Sequence, residues 1–141
     1  MKKLLICLLA TVILFCGMVT SVFAASEAVP RYNQAETYCC VFGISDGQAT
    51  VYADYTTKDA GFSKVTLTAT IQRKLWNLFW VNYDIGIDNS TWTESMTTRT
   101  GTFYRTFPIA DTGNYRCNFK MVFEGSSGND TIEETITYSY T

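Results

Sequence analysis

The chain has 141 residues, with 11 Lys plus Arg against 13 Asp plus Glu, five Cys and no His. That length suits one domain, and 47% hydrophobic with 17% charged residues excludes both a disordered chain and a polybasic nucleic-acid binder. The lack of histidine removes a Ser-His-Asp or Cys-His nucleophile system, a His-ligated zinc site and an imidazole proton switch.

The chain opens on MKKLLICLLATVILFCGMVTSVFA. Lys2 and Lys3 form a positive n-region, Leu4 to Phe15 an apolar run, and Val22-Phe23-Ala24 a small-x-small cleavage site. This is the three-part layout of a secretory signal peptide over residues 1–24. A membrane anchor competes with it, since no charge falls between Leu4 and Ser26; Gly17, Thr20 and Ser21 break the apolar run where a c-region should begin and favour cleavage. Phe15 is too bulky to precede a lipid-modified Cys16. Cleavage leaves residues 25–141, 117 in number, with 9 basic against 13 acidic side chains and a net charge of −4. The product is expected to be secreted. Its acidic balance argues against nucleic acid and against anionic membranes as partners, and 117 residues can bury a core without a metal or cofactor.

Residues 25–34 read as a flexible leader, and residues 35–141 as the folded domain. Those 117 residues include 19 Thr and 19 aromatic residues, a composition suited to pleated, half-buried surfaces and poor in helix formers. Thr37 to Ile44 and Gln48 to Thr56 flank Asp46-Gly47, a hairpin signal. A two-residue turn there sets Phe42 opposite Val51, Cys40 opposite Ala53 and Tyr38 opposite Tyr55. In Ser63 to Lys74, Val65, Leu67, Ala69 and Ile71 alternate with Thr66, Thr68, Thr70 and Gln72, the period of a strand with one buried face. Phe79 to Tyr83 is a short run, and Met96 to Phe107 a longer one broken by Gly101. Asn114 to Glu124 alternates Tyr115, Cys117, Phe119, Met121 and Phe123 with polar residues; a Gly125–Asn129 loop then leads into Thr131 to Tyr140. About seven strands at short intervals predict an all-β, two-sheet antiparallel sandwich.

Asp111-Thr112-Gly113-Asn114-Tyr115-Arg116-Cys117 reads D-x-G-x-Y-x-C and resembles the corner before strand F of immunoglobulin domains. The resemblance implies an immunoglobulin-like sandwich, with Asp111, Gly113 and Tyr115 as a structural corner and the Tyr hydroxyl bonded back to the turn. Strand B lacks the usual Cys, and Ser63 to Lys74 lacks the usual Trp, so true immunoglobulin-family membership is not implied. The overall build also resembles small uncharacterised secreted proteins of Gram-positive bacteria, through the Thr-rich strand ending in Ile71-Gln72-Arg73, the Trp-containing turn and the late T-G-x-Y corner. That group has no activity to carry over.

Asp111-Thr112-Gly113 also spells the D-T-G of aspartic proteases, but Tyr115 and Cys117 at the corner's offsets explain it better. Glu133 and Glu134 are adjacent and point to opposite faces of a strand, so together they are no glycosidase pair. Asp84-Ile85-Gly86-Ile87-Asp88-Asn89 spaces oxygen donors near a glycine but lacks the closing Glu of a calcium loop, and reads as a solvated loop. No metal site and no cofactor are expected. Trp76, Phe79, Trp80, Tyr83 and Trp92 cluster with Asn77, Asn82, Asp84, Asp88 and Asn89, a mixture suited to stacking on sugar rings and bonding hydroxyls. Trp76, Trp80, Tyr83 and Trp92 are therefore the candidate ligand-binding residues, with burial in the core as the competing reading.

Cys39, Cys40 and Cys117 remain after cleavage. Strand parity turns Cys40 and Cys117 inward and Cys39 outward, so a Cys40–Cys117 disulfide and a pair of reduced core thiols are both open. No catalytic constellation stands out. The expected function is a non-catalytic secreted module that binds an extracellular protein or glycan; the alternative is a small secreted hydrolase using carboxylates such as Asp111 and Glu134.

Overall fold

The computed structural model describes residues 32–58, 61–87 and 90–141. The signal peptide expected over 1–24 and most of the leader lie outside the described residues. The strands are β1 (Ala35–Ser45), β2 (Gln48–Thr57), β3 (Phe62–Leu75), β4 (Phe79–Asn82), β5 (Thr91–Met96), β6 (Thr100–Pro108), β7 (Gly113–Gly125) and β8 (Asp130–Tyr140). They form two antiparallel sheets, one ordered β1-β2-β6 and the other β4-β3-β7-β8, with β5 also paired to β3. β7 takes one edge of β3 along most of its length. The other edge is shared, β5 covering Val65 to Thr70 and β4 covering Gln72 to Leu75. This is an immunoglobulin-like sandwich in which β1, β2 and β6 stand where strands A, B and E stand, and β3, β7 and β8 where C, F and G stand.

The local reasons for the strands are visible in their registers. Asp46 and Gly47 both take positive φ, 49° and 71°, the backbone of a primed two-residue turn whose twist matches the strands it joins. The turn sets Phe42 against Val51, Cys40 against Ala53 and Tyr38 against Tyr55, as its two-residue length requires. On β3 the alternation buries Val65, Leu67, Ala69 and Ile71 completely, and on β7 it buries Tyr115, Cys117, Phe119, Met121 and Phe123. Small residues stand beside large ones within each sheet: Ala53 pairs with Phe103, and Ala69 with both Phe119 and Trp92, so the buried faces alternate in side-chain volume.

The strand count is eight rather than seven, because Thr91–Met96 forms β5, a strand with few apolar residues to announce it. The run expected over Met96 to Phe107 is two strands, β5 ending at Met96 and β6 beginning at Thr100. Gly101 lies inside β6 and does not break it. A Cβ there would come within 2.8 Å of both the Tyr55 hydroxyl and the Met96 sulfur, so the bare backbone is what lets Tyr55 reach the Thr98 carbonyl at 2.8 Å. The leader is also anchored at its end. Asp130, almost wholly buried, accepts hydrogen bonds from the backbone N–H groups of Asn33, Gln34 and Ala35, and Gln34 is fully buried. Asn33 and Gln34, within the segment expected to be a flexible leader, are thus held to the fold.

Candidate functional site

β3 and β4 form a hairpin whose turn is closed by the Leu78 N–H bonding the Leu75 carbonyl at 2.9 Å. Trp76 and Asn77, between them, take φ of 48° and 58°. Asn tolerates that left-handed backbone; a bulky Trp does so only against a steric cost. Trp76 nevertheless holds its ring in solvent at 83% exposure, beside Leu78 at 71% and Phe79 at 58%. Phe79 and Val81 have the inward parity of β4, yet both are exposed, because β4 is the outermost strand of its sheet and the three-stranded sheet opposite leaves it uncovered. The hairpin thus presents a contiguous apolar tip with no packing partner among the described residues.

The four aromatic residues singled out from the sequence do not form one surface. Trp76 is at the hairpin tip. Trp80 has the opposite parity from Phe79, pairs across the hairpin with Lys74, and lies half-buried on the outer face of the five-stranded sheet. The Arg116 guanidinium carbon is 4.5 Å from its ring centre and the Lys74 ammonium 5.7 Å. Tyr83 is structural in its contacts: it meets Tyr115 edge-on at 5.4 Å, and its hydroxyl accepts the Ala110 N–H at 3.0 Å. Trp92 corrects the binding expectation outright. It faces inward from β5, is 3% exposed, and packs edge-on against Phe107 at 6.0 Å. An indole that contributes its area to the core is closed to a ligand.

The Asp111 region is a tyrosine corner in its geometry. The Tyr115 hydroxyl donates to the Asp111 carbonyl at 2.7 Å, and burial of that phenol pushes its pKa up to about 12. The Asp111 carboxylate accepts from Arg73 at 2.8 Å, and Arg73 also donates to the Thr112 carbonyl at 2.9 Å. Gly113 takes φ 148°, and a Cβ there would meet the Arg73 Nε at 3.3 Å. The side chain that D-T-G chemistry would use is thus engaged by an arginine. Glu133 lies 3.5 Å from Lys120 on the outer face. Glu134 has inward parity and acts electrostatically on Tyr38 and Cys40. Asp84 accepts the Gly86 N–H at 2.8 Å; Asp88 and Asn89, the rest of the oxygen-rich loop, lie outside the described residues. No group of three or more Cys, Asp or Glu residues able to hold a metal ion occurs among the described residues.

Cys39, Cys40 and Cys117 are all free thiols, so the structure holds Cys40 and Cys117 as reduced core residues and not as a disulfide. Burial pushes the Cys40 thiol up to about 12 and the Cys117 thiol higher still, which keeps both protonated and unreactive.

Sequence reasoning passed over Leu78, Lys74 and Arg116. Parity gives Lys74 and Arg116 only an outward face; the strand order β4-β3-β7 is what brings both to Trp80. No family model matches the chain, and no curated protein does. Among solved structures it is similar to wild type OgpA from Akkermansia muciniphila in two crystal forms. The identities are 13% and 15% and the TM-scores 0.43 and 0.40, covering 83% and 84% of this chain. The matches span 31% and 32% of the OgpA chain, about a third of its length.

Proposed function

We propose that the protein is a non-catalytic secreted binding module that engages an extracellular protein or glycan through the β3–β4 hairpin. Secretion rests on the charged, apolar and small-x-small segments of residues 1–24. The observation that carries the binding role is Trp76: a large ring held in solvent on a left-handed backbone, where Gly or Asn would fold more easily. A residue that is costly for the fold and contributes nothing to the core points to a use outside the fold. Leu78 and Phe79 extend the same tip, so a partner gains a desolvated anchor with neighbours that exclude water around it.

The test is to display the protein against panels of extracellular proteins and glycans, then repeat with Trp76→Ala and Leu78→Ala. A true anchor costs about 2 kcal/mol or more of binding on truncation, with little loss of stability. A ligand bound equally well by both variants removes the hairpin as the contact.

A further inference from the structure

The outer face of the five-stranded sheet carries a hydrogen-bonded row of side chains that the hairpin reading does not use. Alternation places Gln72 (β3), Asn82 (β4), Arg116 and Asn118 (β7) and Thr135 (β8) on this face, and the strand pairings bring them side by side. The direction of each bond is determined by Arg116, which can only donate. Its Nε donates to the Gln72 Oε1 at 2.7 Å, and the Asn118 Nδ2 donates to the same oxygen at 3.0 Å. That orientation turns the Gln72 Nε2 toward the Asn82 Oδ1, at 2.8 Å. At the other end the Thr135 hydroxyl donates to the Asn118 Oδ1 at 2.9 Å.

The chemical consequence is one-sided. Every amide oxygen of the row accepts a bond inside it, the Gln72 oxygen two. Free donors then outnumber free acceptors: both N–H bonds of the Asn82 amide, one each on Gln72 and Asn118, and the terminal nitrogens of Arg116. Lys74, beside Trp80, adds an ammonium group. Neither Lys74 nor Arg116 has a carboxylate partner among the described residues, whereas Lys64 on the same face is paired with Glu124 at 2.8 Å and Lys120 with Glu133 at 3.5 Å. Two uncompensated cations and a row of donors on a protein of net negative charge call for an anionic, acceptor-rich ligand.

We infer that this face is a binding site for an acidic oligosaccharide, one bearing carboxylate or sulfate groups. Charge selects the anion, and the lie of the face selects a sugar over a peptide. β3 and β7, which carry Lys74, Gln72, Arg116 and Asn118, are interior strands whose backbone groups are engaged on both sides, so a peptide lying over them has no strand edge to pair with there. Sugar hydroxyls and ring oxygens accept from amide N–H groups, and the row crosses four strands, about 14 Å at the usual strand spacing, the reach of a short saccharide. Beyond Asn118 the face opens into a shallow depression of about 340 Å³ whose border holds Glu133 and Glu134 beside Lys120 and Thr135, so the anionic groups of the ligand belong at the Arg116 and Lys74 end of the row and only its neutral hydroxyls toward Thr135. Trp80 packs against the Arg116 guanidinium and acts as a positioning residue, limiting the freedom Arg116 would otherwise lose on binding.

The experiment is calorimetric titration of the full-length chain, at low salt, with four probes: trigalacturonate, a heparin-derived hexasaccharide, neutral maltotriose and hexaglutamate. We expect at least one acidic saccharide to bind, and maltotriose and hexaglutamate to bind far more weakly. Binding of the uronate or of the sulfated probe alone assigns the anion. Arg116→Met and Lys74→Met should each weaken the acidic saccharide about tenfold or more, as expected for a lost charge-assisted hydrogen bond. Gln72→Leu, which frees the Arg116 Nε, should weaken it while leaving both cations in place, and Lys64→Met should not. Thermal melts identify any variant that fails to fold, and Lys74→Met, at the sheet's edge, keeps the test open if Arg116→Met does so. The inference is overturned if neither acidic saccharide binds, if maltotriose or hexaglutamate binds as tightly, or if folded Lys74→Met and Arg116→Met bind like the parent. The hairpin contact is read separately through Trp76 and Leu78, and it stands or falls independently of this result.

Discussion

Tyr115 donates its hydroxyl hydrogen to the carbonyl oxygen of Asp111, four residues upstream, at 2.7 Å and from a fully buried ring. The bond ties the turn before β7 to the strand it feeds. Arg73 closes the same turn from β3 by binding the Asp111 carboxylate and the Thr112 carbonyl.

Tyr115→Phe keeps the ring and removes only that bond. It should cost about 1–2 kcal/mol of stability, measured by urea melts, because the partly buried Asp111 carbonyl loses its donor. A neutral result would mean that the corner does not stabilise this fold.

Asp130 anchors the start of the fold. Burial by itself would raise its pKa, but backbone N–H bonds from Asn33, Ala35 and Gln34, with help from Lys58, outweigh it and hold the carboxyl below its ordinary 3.8. A group depressed in the folded state adds stability that is complete above its unfolded pKa and lost as pH falls through its folded one. Asp130→Asn should therefore cost about 2 kcal/mol at neutral pH. The gap between parent and variant should close as pH drops below 3.8. Melts of both proteins along that acid range check it, and a gap independent of pH would contradict it.

Trp76 and Trp92 should behave oppositely. Trp92→Ala empties an inward site against Phe107 and Ala69 and should destabilise by about 3–5 kcal/mol. Trp76→Gly removes a left-handed bulky residue and should leave stability unchanged or raise it by about 1 kcal/mol. Thermal unfolding of the two variants separates a core ring from a presented one.

Thiol labelling should follow burial. In the native protein Cys39, which is exposed, reacts with iodoacetamide, while Cys40 and Cys117 stay protonated and protected. After denaturation without reductant all three should label, as mass spectrometry of the peptides would show. Labelling of Cys39 alone in the denatured chain would reveal a Cys40–Cys117 bridge.

Much of the sandwich was legible in the order of residues, because its causes are local. A period-two pattern can bury only one face of a strand, which put Val65, Leu67, Ala69 and Ile71 inside. Asp46-Gly47 tolerates positive φ, and its two-residue turn set the β1–β2 register; the D-x-G-x-Y spacing placed a tyrosine within reach of its own turn. β5 was not legible in the same way, since Trp92 and Met96 are too few apolar residues to declare a period.

Coverage was decided by the tertiary structure. Phe79 on β4 and Trp92 on β5 both have inward parity on strands that share one edge of β3. Trp92 lies over the core, whereas Phe79 extends past the rim of a three-stranded sheet and remains in water. Parity along a strand says which way a side chain points, and only the second sheet says whether anything is there to meet it. The donor row has the same origin. Gln72, Asn82, Arg116, Asn118 and Thr135 are scattered over the chain, and no spacing announces them. Strand pairing sets them edge to edge, and a donor-only arginine then orients every amide beside it.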